Sequence, residues 1–326
     1  MPTKSPNNPE PSDPLESALV LAMSGVSKKK KLLIGVSGGR DSMVLLSALR
    51  ALGFQRLVVC HLDHSLRGKA ARADAAFVSK QASKLGCALE SARAATRDYA
   101  ATNRKSLELA ARELRQAFFA ECAKRHKCHV LLLAHHADDQ IETCLFNFLR
   151  GSGPAGLAGM RPVSQNGNLT IRRPMLGIPS GDIAAYQKRH RIPFREDASN
   201  LETVHTRNKL RHAVLPAIEK ALGPAFRKTI PRAAEIFRAE DDCLSALVPR
   251  AGATLSCKEL RALPLAIQRR AVLRWLRESG VFEPGWEETQ RVLSLLDTSG
   301  PAKINLPGDI HARRRAGVIF LEKARP

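Results

Sequence analysis

No C-x-x-C pair occurs anywhere in the sequence. Its seven cysteines (Cys60, Cys87, Cys122, Cys128, Cys144, Cys243 and Cys257) are odd in number and scattered. That pattern argues against a disulfide framework and a zinc ribbon, and predicts reduced, mostly buried thiols. Aromatic residues make up 5%, too few for the rows of rings on which single-strand-binding proteins stack bases. No run approaches the ~18 apolar residues of a membrane-spanning helix. Residues 1–14 hold five prolines and no apolar signal-peptide core, and so predict a disordered tail. A cytoplasmic protein with no membrane contact is the expectation. Negative charge is also scarce: 31 Asp and Glu stand against 52 Lys and Arg, a formal net charge of +21. Residues 1–215 carry 33 basic and 18 acidic side chains, whereas residues 216–326 carry 19 and 13. A field of this size suits a polyanion gripped by its phosphates, hence nucleic acid.

What is present is a chain of 326 residues, 44% of them hydrophobic, enough for two packed domains. From Lys31 onward short apolar runs alternate with longer periodic ones. Strands are predicted at Leu32–Ser37, Leu57–Leu62, Ala88–Ser91 and Val130–Ala134. Helices are predicted at Asp41–Leu52, Ala70–Leu85, Ser106–Arg125 and Asp138–Leu149. Such alternation implies an α/β fold with a parallel, doubly wound sheet, whose ligands sit beyond the carboxyl ends of the strands. Arg150–Gly159 is glycine-rich and reads as a break in helix. A domain boundary is expected near Leu215–Pro216, followed by a mainly helical region with helices at Leu210–Ala221, Ala225–Val248, Lys258–Ser279 and Trp286–Leu296. A small β element is expected at Ala302–Leu306 and Gly317–Leu321.

The first strand runs into Ser37-Gly38-Gly39-Arg40-Asp41-Ser42 and then a helix. Two glycines let the backbone bend and present N–H groups, the hydroxyls of Ser37 and Ser42 add donors, and the helix aims its positive end at an anion. The ending Gly-Lys-Ser/Thr and the spacing G-x-G-x-x-G are both missing, so the loop is neither a Walker loop nor a dinucleotide fingerprint. Asp41 would repel phosphates unless a Mg²⁺ ion bridged them. Arg40 is placed either to reach pyrophosphate or to face water. The segment resembles the PP-loop of the ATP pyrophosphatases, the adenine nucleotide alpha hydrolase-like fold, which split ATP between its α- and β-phosphates.

Later motifs narrow the choice. His61-Leu-Asp63-His64-Ser-Leu-Arg67-Gly68 follows the second strand, and Ala134-His135-His136-Ala-Asp138-Asp139-Gln140-Ile-Glu142-Thr143 follows a later one and opens a helix. Asp139 and Glu142 are three apart and share a helical face. Arg150–Met160, Arg172–Leu176, Glu196–Asn200 and Thr206–His212 complete the series. In this order the motifs, over about residues 31–215, resemble the tRNA(Ile)-lysidine synthetase family. The helical remainder resembles the family's shorter architectural form in size and position.

The resemblance implies an ATP-dependent ligase forming a carbon–nitrogen bond. Its catalytic domain would span 15–215 and a mainly helical tRNA-binding domain 216–326. Its substrates would be ATP, free L-lysine and the isoleucine tRNA with a CAU anticodon, whose wobble cytidine becomes lysidine so that AUA is read rather than AUG. It further implies that Ser37, Gly38, Gly39, Arg40, Asp41 and Ser42 hold ATP, with Asp41 on Mg²⁺. Arg112 would contact nucleotide or the activated base, while Gln116 stands where the family usually has Tyr. Asp139 and Glu142 would recognise lysine. His64 or a neighbouring carboxylate is the candidate base for the ε-amine. Arg207, with Arg211, would steady tRNA phosphate or the adenylate, or simply pair on a helix surface. A homodimer is left open by the sequence. Two rivals remain: a PP-loop tRNA thiolase, and a non-catalytic tRNA-binding protein. Cys122, His126, Cys128 and His129 cluster in sequence but straddle a helix end, so their side chains are expected to diverge rather than hold zinc.

Overall fold

The computed structural model describes residues 13–66, 68–196, 206–250 and 252–323, with the side chains of Lys69, Thr206 and Arg207 left out of the description. Most of the expected tail, residues 1–12, lies outside the described residues. Asp13 and Pro14 instead open the first helix, α1 (Pro14–Ala22), where the Asp13 carboxylate accepts the Leu15 N–H at 2.8 Å. An Asp N-cap followed by Pro at the first helical position is a sequence-encoded helix start.

The elements then alternate: β1 (Leu32–Gly35), α2 (Arg40–Ala51), β2 (Leu57–Asp63), α3 (Lys69–Lys84), β3 (Ala88–Arg93), α4 (Thr96–Thr102), α5 (Leu107–His126), β4 (Val130–Leu132), α6 (Ala137–Leu149), α7 (Pro154–Leu157), β5 (Val163–Asn166), β6 (Leu169–Arg172) and α8 (Ser180–Arg189). The six strands form one sheet in the order β3-β2-β1-β4-β6-β5. Pairing is parallel throughout except between β5 and β6, which form an antiparallel hairpin at one edge. The sheet is thus parallel and doubly wound, as expected, with an edge hairpin that the sequence reading did not contain.

Burial explains the winding. Leu32 and Ile34 of β1 point to one face, where Leu15 and Leu19 of α1, Leu45 and Leu49 of α2, Val78 of α3 and Tyr186 of α8 cover them. Leu33 points to the other face, onto Phe118, Phe119 and Cys122 of α5. A four-residue run buried on both sides is the mark of a central parallel strand. Because β1 has β2 on one side and β4 on the other, successive crossovers leave it in opposite directions, and a crevice opens at the carboxyl ends of β1 and β4.

Next come a helical turn, α9 (Thr206–Lys209), a π-helical turn (Leu210–Val214), α10 (Leu215–Leu222) and α11 (Phe226–Ala246). Compact units part between Ala234 and Glu235, inside α11. The first unit therefore reaches past the expected boundary at Leu215–Pro216, because Leu215 and Phe226 pack on Ile141 of α6.

The second unit holds the remainder of α11, β7 (Leu255–Ser256), α12 (Cys257–Ala262), α13 (Leu265–Glu278), α14 (Trp286–Ser294), β8 (Lys303–Leu306), β9 (Ile310–Arg315) and β10 (Val318–Lys323). The strands form an antiparallel sheet in the order β7-β10-β9-β8. Its core centres on Val272, Trp275 and Leu276. The expected single helix over Lys258–Ser279 is in fact two, since Leu263 is extended (φ −86°, ψ 149°) ahead of Pro264, which restricts its predecessor and lacks an N–H. The small β element is larger than expected, with β7 and β9 added. In the first unit, Cys122 and Cys128 are buried and His126 pairs with Glu90 at 2.7 Å. Among the described residues no three metal-ligating side chains converge.

Candidate active site

The loop after β1 is set by its glycines in two different ways. A Cβ on Gly35 would lie 2.8 Å from Leu133 Cδ2 and 3.1 Å from Phe119 Cζ, so a side chain at the strand end would have to displace them. Gly38 has φ +94°, where an L residue is strained. The two hydroxyls expected to face phosphate are used to shape the loop. Ser42 Oγ donates to the Gly39 carbonyl at 2.9 Å and accepts the Ser37 N–H at 3.2 Å, while Ser37 Oγ accepts the Gly39 N–H at 3.2 Å. Helix α2 then begins at Arg40 with no side-chain cap, which leaves its first-turn N–H groups for an anion. Arg40 neither reaches out nor faces water alone: its Nε lies 3.1 Å from Asp41 Oδ1.

Across the crevice, His136 ends the β4 loop and α6 begins. Its backbone N–H is capped by Asp139 Oδ2 at 3.0 Å, and its Nε2 lies 3.5 Å from Asp41 Oδ2 and 3.6 Å from Asp139 Oδ2. Burial opposes a charge on His136, but Asp41, Asp139 and Asp138 together hold its pKa above the ordinary value. Burial likewise opposes charge on Asp41, yet His136 and Arg40 hold its carboxyl below the usual range. Glu142 is pushed upward by burial, which outweighs Arg211.

Arg211, on the π-helical turn, bridges both expected lysine-recognising carboxylates: Nη2 lies 3.0 Å from Asp139 Oδ1 and Nε 2.6 Å from Glu142 Oε1. Asp138 is held by Arg227 Nη1 at 3.1 Å and by the Ser180 hydroxyl. Asp139 and Glu142, three apart on α6, thus share one cation, the Arg211 guanidinium.

Two cavities open along this crevice and meet at Ser37, Ser42, Asp74 and Ala134. One, of about 440 Å³, is walled by Gly35, Val36, Leu62, Phe119 and Leu133 with His61, His64 and Arg115. The other, of about 810 Å³, contains the loop Ser37–Ser42 together with His136, Asp138, Glu142, Arg195, Arg211 and Arg227. The structure therefore gathers Ser37, Gly38, Gly39, Arg40, Asp41, Ser42, Asp139 and Glu142, and places His64 on the smaller cavity. There His64 Nδ1 is 3.3 Å from Thr96 Oγ1, and burial with the nearby Arg115 charge lowers its pKa. Arg112 is exposed on α5 and lines neither cavity, while Arg115 does. The side chain of Arg207 lies outside the description. His136 and Asp138 belong to a motif visible in the sequence but had no assigned chemistry, and Arg211, expected to steady tRNA phosphate or the adenylate or to pair on a helix surface, is paired with Asp139 and Glu142. Arg195 and Arg227 carried no signal, being brought in by a loop and by a helix beyond the expected boundary.

A family described as the PP-loop domain matches residues 14–218, and one described as the TilS substrate binding domain matches residues 255–320. A tRNA(Ile)-lysidine synthase of Solibacter usitatus is 37% identical over 90% of this chain and 68% of its own length. The chain belongs to the tRNA(Ile)-lysidine synthase family. Synthases of Bacillus licheniformis and Bacillus subtilis are 35% and 32% identical over 86% and 85% of the chain, which spans 62% of each. The chain thus covers roughly two thirds of these lysidine synthases. Among solved structures, a U34-tRNA thiolase from Methanococcus maripaludis shares the fold at TM-score 0.57 and 15% identity, over 69% of this chain and 78% of that one. That likeness is one of fold alone.

Proposed function

We propose that this chain ligates L-lysine to C2 of the wobble cytidine of the CAU-anticodon isoleucine tRNA, at the expense of ATP, in the cytoplasm. The observation that carries this reading is the meeting of the phosphate loop and Glu142 on one cavity, with Arg211 linking Glu142 to Asp139. Family membership and the formal charge of +21 support a tRNA substrate held by its phosphates. No described helix is long and apolar enough to cross a membrane.

In this reading the smaller cavity, apolar on several walls, takes the nucleoside of ATP, and the loop takes its phosphates. The cytidine O2 attacks the α-phosphorus, pyrophosphate leaves, and the adenylated C2 is then attacked by the lysine ε-amine with loss of AMP. The chain's own contribution is positioning and charge neutralisation. The first-turn N–H groups of α2 hold the phosphates, and Asp139 and Glu142 bind the lysine ammonium where Arg211 now sits. His136 is engaged by Asp41 and Asp139, which with Asp138 raise its pKa against the effect of burial. Glu142, with its raised pKa, is a better acceptor for the amine proton than His64, which lines the other cavity.

The Asp41 carboxylate, on the larger cavity beside the phosphate loop, is a hard-oxygen donor of the kind that suits Mg²⁺ and would hold that ion. When bound it would neutralise charge developing on pyrophosphate. The test is AMP and pyrophosphate release from ATP by the full chain, with and without L-lysine and the tRNA. Release that requires the tRNA, with labelled lysine entering it, is the expected result. AMP release without lysine incorporation would redirect the reading to another nucleophile, and tRNA binding without turnover would favour the non-catalytic alternative.

A further inference from the structure

The chain that follows α8 passes directly over the phosphate loop. Ile192 anchors it in the core, and the Arg195 N–H donates to the Gly38 carbonyl at 3.0 Å, gripping the peptide that makes the loop's positive-φ bend. From there the Arg195 side chain reaches α3, where its Nε lies 2.6 Å from Asp74 Oδ1. Asp74 stands at the seam of the two cavities, and Arg195 lines the larger one beside Ser37–Ser42.

The other arginines of that cavity are differently employed. Arg40 holds its neighbour Asp41, Arg211 sits on the proposed lysine carboxylates, and Arg227 braces Asp138 and Glu219. The partner of Arg195 has no part in the proposed chemistry. The pair is also unequal in setting: the Arg195 side chain is 42% exposed and that of Asp74 13%. A solvent-exposed guanidinium gains little from one carboxylate, whereas a polyphosphate offers several charged oxygens in bidentate geometry.

We propose that Arg195 is a nucleotide-phosphate ligand which Asp74 holds in reserve. When the triphosphate enters the loop, the guanidinium transfers from Asp74 to the phosphates, while its backbone N–H stays on Gly38. The inference rests on the reading that this loop binds ATP phosphates. It has a signature that bracing alone lacks, because the two partners act with opposite sign. Removing Arg195 removes a ligand; neutralising Asp74 removes its competitor.

The experiment is equilibrium binding of ATP, inorganic pyrophosphate and AMP to the full chain by calorimetry in Mg²⁺ buffer, without lysine or tRNA. Arg195→Ala, which keeps the backbone N–H, weakens ATP and pyrophosphate about tenfold and leaves AMP within about twofold. Asp74→Asn tightens ATP by roughly two- to fivefold, and the double variant binds as Arg195→Ala does. Should Arg195→Ala fold poorly, Arg195→Lys retains charge and packing and shows an intermediate, phosphate-selective loss. Unchanged ATP affinity in Arg195→Ala overturns the proposal. So does weakening by Asp74→Asn that extends equally to AMP, since the pair would then only brace the loop. A wild-type chain that fails to prefer ATP over AMP refutes instead the phosphate-loop reading beneath it.

Discussion

At the scale of single residues, the site is a set of opposed charges whose values depend on one another. Asp41 touches Arg40 and His136, so replacing it with Asn is expected to cut AMP formation at least ~100-fold, through lost charge organisation around the phosphates. Binding of tRNA, measured by filter retention, should stay within about twofold, because the change leaves the chain's excess of positive charge intact. Glu142→Gln removes half of the proposed ammonium site, and the lysine KM should rise about tenfold with the ATP KM unchanged. A lysine KM that does not move would remove Glu142 from that role. The pH dependence follows from His136 and Asp41. The folded His136 pKa is raised, so its contribution to stability is complete below the unfolded value of about 6.5 and fades as pH rises through the folded value. The folded Asp41 pKa is depressed, so its contribution is present above the unfolded value and fades only as pH falls through the depressed one. The Tm difference between the wild-type chain and His136→Asn should therefore be largest near pH 5–6 and shrink toward pH 9.

Elements were legible wherever apolar residues carried the pattern. Leu32-Leu-Ile reads as a buried strand and is one, and the strand–glycine–helix passage over residues 32–42 located the loop. The hairpin β5–β6 escaped because its strands are only four residues each and β5 is mostly exposed, although Asn166-Gly167 and the alternation of Leu169-Thr-Ile-Arg172 are hairpin signals. Helices α12 and α13 merged in the sequence reading because apolar periodicity continues across Leu263-Pro264. In the site, adjacency to a motif located chemistry but not geometry: Arg112 and Arg115 share α5, and the cavity meets only Arg115. Arg227 reaches Asp138 from a distant helix, a contact no local spacing encodes. The α5 start, by contrast, is local, with Ser106 Oγ accepting the Leu109 N–H at 3.3 Å. Ser106→Ala should lower unfolding free energy by about 1 kcal/mol in urea titrations without changing ATP affinity.

For the whole molecule, the excess of 21 positive charges is a long-range property, whereas the larger cavity is nearly balanced, with four arginines against five carboxylates. Raising salt should therefore weaken tRNA binding steeply, with log Kd nearly linear in log salt, while ATP affinity changes far less. A flat salt response for tRNA would put the grip outside simple phosphate contacts. The balance inside that cavity separates capture from admission. A polyanion drawn in by the surface meets a cavity whose arginines already hold carboxylates, so being attracted to the protein gives no right of entry to the proposed catalytic chamber. Heparin should accordingly compete with tRNA and leave the ATP KM untouched, a chain that is sticky on the outside and selective within.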